Sequence, residues 1–268
     1  MSGYMRVACR GAPRDLGLDQ GRACAPEIAR CVSARAGGAL TRLAAAIRPP
    51  SAQRRALRDT YRFFPHMAER SAGLARGAGV SPLALAALGA LPERAPADAL
   101  RVAQGLRGPC VARALPPEAL VVLRESAPDS DYRSLELIAL AQIAPFVGVN
   151  EHGLAVGTVL LGAGGECAAP ASLLAQDCLQ RFDRVEKALE WLERRPAGGR
   201  AHFALADATG AAALFEIEGT ARRRAPPREE PLTPPTSERC CVAVADPQTR
   251  TLGWTFADGS TGEAGFGA

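Results

Sequence analysis

Cys110 is the residue of this sequence whose type and position best suit covalent chemistry. It follows Gly108 and Pro109 and begins a short run rich in apolar residues. A cysteine thiolate can attack an amide or a thioester and form an acyl-enzyme. A free thiol also behaves as a small hydrophobe and is often buried. The local sequence therefore leaves two interpretations open, a catalytic nucleophile and a core thiol at the start of a strand.

Five further polar residues lie beside predicted strands and could take part in a site. Arg124 ends an apolar run, where a guanidinium suits recognition of an anionic group. Glu125 and Asp129 follow it as catalytic or solvated carboxylates. Asn150 is expected mainly to shape the turn Asn-Glu-His-Gly, because asparagine tolerates turn conformations. His202 begins a strand and could face either a site or the surface.

Composition and charge narrow the class of partner. The chain has 268 residues, of which 47% are hydrophobic and 22% charged, values typical of a globular protein. Its net charge is +4, its arginines are scattered apart from residues 222–224, and only 5% of its residues are aromatic. Nucleic-acid-binding surfaces cluster basic and stacking residues, so we expect no nucleic-acid partner.

The cysteines and histidines predict neither a metal site nor a cofactor. No C-x-x-C, H-E-x-x-H, P-loop or G-x-G-x-x-G pattern occurs, and the three histidines are far apart in sequence. The N-terminal stretch has no apolar segment typical of a secretion signal, and no apolar run is long enough to span a membrane. We therefore expect a cytoplasmic protein without a membrane partner, whose eight cysteines are thiols.

The order of predicted elements indicates an α+β protein. Residues 1–109 read as mainly helical, with a loop-like segment at 92–109, and residues 110–268 read as strand-rich. Two amphipathic helices are predicted within 171–195, whereas residues 131–142 could be strand or helix. Hairpins imply antiparallel sheets, and helices grouped between them imply separate helical layers. We expect these layers to form one domain over residues 1–268. Four hairpins are predicted, over residues 110–125, 146–161, 201–218 and 240–257.

Four stretches, in order, resemble the acyl-coenzyme A:isopenicillin N acyltransferase-like proteins, which are N-terminal-nucleophile (Ntn) hydrolases. They are RGAPRDLGLDQGRA (10–23), HMAERSAGLARGAGVSPLALAAL (66–88), VGVNEHGLAVGTVLL (147–161) and the helix-pair-plus-hairpin block at 173–218. The resemblance implies a four-layer αββα sandwich of two antiparallel sheets. It also implies a small-molecule amide or acyl substrate, with acyl-coenzyme A among the candidate donors, and no cofactor.

The resemblance also implies a mechanism. Such precursors cleave themselves before a cysteine, whose new α-amino group then acts as the base for its own thiol; here the matching residue is Cys110. A free α-amine has a pKa of about 7.7–8, so it can exchange a proton near neutral pH. Arg124 matches the arginine of the family's R-N-x-D pattern. The implied activity is hydrolysis of an amide or thioester, or transfer of its acyl group.

Three positions depart from the family pattern and support an alternative function. Pro109 stands where a glycine is usual, while Glu125 and Ala127 replace the asparagine and aspartate. A proline ring limits the backbone distortion that a glycine allows before the scissile bond. The alternative is an unprocessed, catalytically degenerate protein that acts as a binding or scaffold module. A third interpretation keeps a catalytic thiol without cleavage, with His202 or a nearby carboxylate as its base.

Overall fold

The computed structural model of the chain describes residues 5–35, 51–89, 99–115, 121–162, 166–227 and 241–266. The helices in these ranges are α1 (Pro13–Ala23), α2 (Ala25–Arg35), α3 (Ser51–Phe63), α4 (Pro65–Gly77), α5 (Pro82–Gly89), α6 (Leu173–Arg181) and α7 (Val185–Arg194). The strands are β1 (Met5–Gly11), β2 (Leu100–Gln104), β3 (Pro109–Leu115), β4 (Val121–Pro128), β5 (Ser134–Ala139), β6 (Pro145–Asn150), β7 (Leu154–Gly162), β8 (Arg200–Asp207), β9 (Ala212–Glu218), β10 (Ala221–Ala225), β11 (Cys241–Asp246), β12 (Thr251–Phe256) and β13 (Thr261–Gly265).

The strands form two sheets. One has eight strands in the order β1-β4-β5-β6-β7-β8-β9-β10, and the other has five in the order β13-β12-β11-β3-β2. Neighbouring strands are antiparallel except β1 and β4, which are parallel. The predicted α+β class with two sheets is therefore confirmed, with one parallel pair at the edge of the larger sheet.

The two sheets pack face to face around an apolar core. Val111 from the smaller sheet and Leu123 and Val147 from the larger sheet are fully buried in this core. The other face of the larger sheet buries Phe203 and Phe215 against the helices, where α1, α6 and α7 contact its strands. The described residues thus supply three of the four expected layers, namely helices, the larger sheet and the smaller sheet.

Helices α1 and α4 approach each other so closely that glycines are required at the contact. A Cβ atom on Gly17 would lie 1.9 Å from the Arg70 carbonyl oxygen, and one on Gly73 would lie 2.0 Å from the Arg14 carbonyl oxygen. Both distances are far shorter than any van der Waals contact, so only hydrogen atoms fit there. This backbone contact brings the side chains of α1 and α4 onto the larger sheet.

The predicted hairpin over residues 110–125 is wrong, because β3 and β4 lie in different sheets. β3 instead pairs with β2, which lies inside the segment 92–109 that the sequence predicts to be a loop. Only five residues long and bordered by Gly105, β2 is too short to give a clear periodic signal. The turn predicted at residues 116–118 lies outside the described residues.

The other three hairpins are confirmed as β6–β7, β8–β9 and β11–β12. The helix pair predicted within 171–195 is confirmed as α6 and α7. The ambiguous segment 131–142 contains strand β5. In each of the three hairpins, both strands and their turn are adjacent in sequence, so local signals are sufficient to predict them.

Replacing Gly17 with alanine is expected to lower the free energy of unfolding by about 1–3 kcal/mol, because a methyl group cannot fit against the Arg70 carbonyl. Denaturant unfolding curves measure the change. Gly253→Ala is the matched control, since a Cβ there would meet nothing nearer than the Gly262 carbonyl oxygen at 3.8 Å. Equal unfolding free energies for the two variants would contradict the close contact of α1 and α4.

Candidate active site

Four hairpin turns meet at one end of the two sheets, which we call the turn end. A Cβ on Gly108, in the β2–β3 turn, would lie 2.7 Å from Gln248 Nε2 in the β11–β12 turn. Gln248 Nε2 donates a hydrogen bond to the Asp207 carbonyl oxygen over 3.3 Å, at the β8–β9 turn. The amide of Ala208 donates to the Gly153 carbonyl oxygen over 2.9 Å, which joins the β6–β7 turn. Loops held together on a rigid scaffold are common positions for functional residues.

Cys110 lies at the turn end as the second residue of β3. Its side chain is on the face of the smaller sheet that points away from the core between the sheets, where it packs with Ala103, Ala112 and Val244. The thiol is only 1% exposed and donates a hydrogen bond to the Ala103 carbonyl oxygen over 3.3 Å. Burial raises the pKa of this thiol to about 11, so the intact chain holds it neutral at physiological pH.

Asp246 is the charged residue at the matching position of the neighbouring strand. The β11–β3 ladder ends with the pair of Ala245 and Val111, so the next residue, Asp246, lies beside Cys110. Its Oδ1 accepts hydrogen bonds from the Gln248 amide at 2.9 Å and the Thr249 amide at 3.2 Å, which fixes the turn. Its charge adds to the rise in the pKa of the Cys110 thiol and therefore disfavours the thiolate.

Arg124 is buried on the helix-facing side of the larger sheet, and all of its side-chain nitrogens donate hydrogen bonds. Nε pairs with Glu136 Oε2 at 2.5 Å, and Nη1 donates to Gln20 Oε1 at 2.7 Å. Nη2 donates to Gln176 Oε1 at 2.6 Å and to the Ile143 carbonyl oxygen at 2.7 Å. Neither Arg124 nor Glu136 is exposed to solvent. This arrangement makes Arg124 an internal tie between β4, β5, α1 and α6.

The structure does not bring Arg124 and Cys110 together. Leu123, the neighbour of Arg124, faces the core between the sheets, so Arg124 faces the helices. Val111, the neighbour of Cys110, faces the same core, so Cys110 points the opposite way. Stacked sheets lie about 10 Å apart, and both sheets stand between the two side chains. The intact chain therefore has no single site containing both residues.

The cluster around Arg124 concentrates buried charge, and we call Arg70, Arg124 and Glu136 the charged cluster. Burial by itself would raise the pKa of the Glu136 carboxyl group. The nearby charges of Arg124 and Arg70 outweigh this effect, together with hydrogen bonds from Ser134 and Gln176, so the pKa lies below its usual range. Burial also lowers the pKa of Arg70 to about 10. Arg70 Nη2 donates to Ser126 Oγ over 2.7 Å, and Ser126 Oγ in turn donates to Glu136 over 3.2 Å.

The predicted carboxylates and His202 lie away from Cys110. Glu125 on β4 forms an ion pair with Arg6 on the edge strand β1, and Asp129 is exposed in the loop after β4. His202 is half-buried near the start of β8, opposite Glu216. It is five positions from Asp207 at the turn end, which is roughly 16 Å along an extended strand.

Asn150 is fully buried and closes the β6–β7 turn. Its Oδ1 accepts hydrogen bonds from the His152 amide at 3.1 Å and the Leu154 amide at 2.9 Å. Its Nδ2 donates to the carbonyl oxygens of Leu179 at 2.9 Å and Phe182 at 2.7 Å, at the end of α6. These four bonds occupy the whole carboxamide, so Asn150 joins the turn end to the helical layer.

Sequence reasoning missed several residues that the structure makes important. Asp246 and Gln248 lie within the hairpin predicted over residues 240–257, and nothing in the sequence indicates that its turn meets Gly108. Glu136 and Gln176 are detectable in principle, because each is a polar residue next to apolar ones, whereas Gln20 lies between Asp19 and Gly21 and gives no such signal. A buried polar residue needs a partner, and here Gln20 pairs with Arg124, Gln176 pairs with Glu136, and Glu136 pairs with Arg124.

Neither a metal-binding group of side chains nor a membrane-spanning helix occurs in the part of the chain that the structure describes. No cluster of three or more histidine, cysteine, aspartate or glutamate residues could hold a metal ion there. No helix within the same ranges is long and apolar enough to cross a membrane.

Comparisons with known proteins give distant likenesses alone. No protein-family model matches the chain, and no curated protein matches it. Penicillin V acylase from Agrobacterium tumefaciens is similar over 59% of this chain and 82% of its own, with 16% identity and a TM-score of 0.42. A variant of conjugated bile acid hydrolase from Clostridium perfringens is similar over 50% of this chain and 49% of its own, with 15% identity and a TM-score of 0.28. Likenesses this distant carry no argument about activity, and the fold described above rests on the chain's own strand pairing.

Glu136→Gln is expected to lower the free energy of unfolding by about 3–5 kcal/mol at neutral pH, because it leaves the buried guanidinium of Arg124 without its counter-charge. Because the pKa of Glu136 is lower in the folded chain than in the unfolded one, its ionised form stabilises the fold. This stabilisation is complete above the unfolded pKa of about 4.3 and is lost as the pH falls through the folded pKa. Unfolding free energies measured from pH 7 down to pH 3 should therefore fall less steeply in the variant.

Glu151→Gln is the control for this pH series, since Glu151 pairs with the more exposed Arg133. This substitution should lower the free energy of unfolding by about 1 kcal/mol or less. If Glu136→Gln were no more destabilising than Glu151→Gln, the charged cluster would not be an important source of stability.

Proposed function

We propose that the intact chain is the dormant precursor of a cysteine-dependent enzyme that hydrolyses an amide or thioester of a small molecule, or transfers its acyl group. In this proposal, cleavage of the bond between Pro109 and Cys110 makes Cys110 the N-terminal nucleophile. The observation that carries it is the position of Cys110, at the start of β3 and directly after the β2–β3 turn, where four hairpin turns meet.

Cleavage would change the chemistry of Cys110 in three ways. The carbonyl oxygen of Ala103, which now accepts the thiol hydrogen, would belong to a separate fragment. A new α-amine would appear on Cys110, with a pKa of about 7.7–8 that allows it to take the thiol proton near neutral pH. Asp246 would lie beside that amine, and a nearby carboxylate favours the ammonium form that the amine takes when it accepts the thiol proton.

The backbone before Cys110 offers a route to cleavage. The Cys110 thiol would attack the Pro109 carbonyl carbon, the amide would pass to a thioester as its nitrogen leaves, and water would release the Pro109 carboxylate. Pro109 restricts its own φ angle, but Gly108 has a φ of 144°, which an L-residue rarely adopts. The conformational freedom that the family pattern assigns to the residue before the cysteine is thus available one residue earlier.

The second candidate function is an unprocessed binding or scaffold module. It is favoured by one observation, namely that the thiol of the intact chain is buried and has a pKa raised to about 11. In that state Cys110 would pack the outer face of the smaller sheet and perform no chemistry. The two candidates differ in whether the Pro109–Cys110 bond is cut, and this can be measured directly.

Intact-mass spectrometry of the denatured protein should find fragments of about 109 and 159 residues, because Cys110 is residue 110 of 268. Cys110→Ala should remain a single chain, since it lacks the attacking sulfur. Pro109→Gly should increase the cleaved fraction, because glycine permits the distortion that proline resists. Cys178→Ala is the matched control, as Cys178 is also a fully buried thiol but lies in the helical layer.

A single uncleaved chain in the wild type and in Pro109→Gly would overturn the precursor proposal and favour the binding module. An uncleaved wild type that hydrolyses an amide, with its activity unchanged in Cys110→Ala, would overturn the role of the cysteine altogether.

A further inference from the structure

A pocket on the helical layer, remote from Cys110, combines aromatic and basic side chains. It lies along α7 and has a volume of about 380 Å³, within the range of about 300–1,000 Å³ typical of small-molecule sites. We call it the Trp191 pocket. Its walls include Phe182, Lys187, Glu190, Trp191, Arg194 and Arg195.

The aromatic wall of the pocket is held in a fixed orientation. The indole nitrogen of Trp191 donates a hydrogen bond to Asp177 Oδ2 over 3.1 Å. Asp177 is fully buried and is itself fixed by His66 Nε2, 2.6 Å from its other oxygen. Phe182 packs against the indole with ring centroids 5.8 Å apart. A ring fixed before a ligand arrives loses little entropy on binding, which favours affinity.

Arg195 is fixed beside the same ring. Its guanidinium carbon lies 5.0 Å from the centroid of Trp191 and 5.1 Å from that of Phe64. One of its terminal nitrogens donates to the Phe63 carbonyl oxygen. Its Nε atom is buried and has no hydrogen-bond partner among the described residues. Two ring contacts and one hydrogen bond therefore set the orientation of the guanidinium beside Trp191.

Two of the three basic residues in the pocket wall form no ion pair with the described residues. Lys187 pairs with Asp183 at 3.0 Å, but neither Arg194 nor Arg195 forms an ion pair with any residue that the structure describes. Glu190 is the one carboxylate in the pocket wall. The end of α7 supplies only about half a negative charge to this region.

Two exposed arginines on β10 form ion pairs with nearby glutamates, unlike the arginines of the Trp191 pocket. Arg223 pairs with Glu216 at 2.5 Å, and Arg224 pairs with Glu186 at 2.7 Å and Glu193 at 2.6 Å. Exposed arginines here are thus matched to glutamates across short distances. The two arginines of the Trp191 pocket lack this match, although they stand beside a preformed aromatic wall.

We propose that the Trp191 pocket binds a small organic carboxylate with an apolar or aromatic body, whose ring packs on Trp191 and Phe182 and whose carboxylate pairs with Arg194 and Arg195. Arg recognises a carboxylate through directed hydrogen bonds, and an aromatic wall accepts the apolar part of the same ligand. This site does not depend on Cys110 or on cleavage of the chain.

Calorimetric titration of the intact protein with sodium benzoate at low salt tests the proposal, with benzyl alcohol as the neutral analogue of similar shape. We expect benzoate to bind about tenfold more tightly than benzyl alcohol, since a charge-assisted hydrogen bond is at stake. Arg195→Gln should weaken benzoate binding by about tenfold and leave benzyl alcohol nearly unchanged. Added salt should weaken the binding of benzoate alone.

Two further variants protect the test against a change in folding. Arg194→Gln alters an exposed side chain and should also weaken benzoate binding. Arg76→Gln removes an equivalent exposed charge at the end of α4 and should leave the affinity unchanged. Equal affinities for benzoate and benzyl alcohol, no saturable binding of benzoate, or unchanged affinity in both Arg194→Gln and Arg195→Gln would overturn the proposal.

Discussion

The buried ion pair between Arg124 and Glu136 is the interaction on which the arrangement of helices and sheet depends. It lies where β4 and β5 meet α1 and α6, and both side chains are fully removed from water. Two buried charges are tolerated when they are paired and hydrogen-bonded, and each of the three side-chain nitrogens of Arg124 donates at least one hydrogen bond. The glycines of α1 and α4 complete the constraint, because their close contact brings Gln20 and Arg70 within reach of the cluster.

This constraint keeps Arg124 apart from Cys110, although the sequence resemblance implies that both belong to one site. Arg124 faces the helices and Cys110 faces away from the opposite side of the second sheet. The charged cluster therefore stabilises the fold, while any chemistry of Cys110 must use residues of the turn end, such as Asp246 and Gln248. A rigid core with hairpin turns gathered at one end is a scaffold on which such residues can change without loss of the fold.

The sequence predicted those parts of the fold whose signals are local. The hairpins β6–β7, β8–β9 and β11–β12 and the helix pair α6–α7 each combine a clear periodicity with an adjacent turn. The pairing of β3 was missed because its partner β2 is short, and because residues 110–125 resemble a hairpin although they belong to two sheets. The turn end around Cys110 was harder to predict than the fold, because the contact of Gly108 with Gln248 joins residues 140 positions apart in the sequence. Long-range pairings of this kind leave no periodic pattern.

The central claim is that the intact chain keeps Cys110 dormant and that cleavage makes it the nucleophile. Mass mapping of the protein after incubation with a reactive acyl thioester at neutral pH tests this claim most directly. The account predicts an acyl adduct on Cys110 of the fragment 110–268 and none on Cys110 of the uncleaved chain, whose thiol has a pKa of about 11. An uncleaved chain acylated at Cys110 as readily as the fragment, or a fragment that acquires no adduct there, would contradict it.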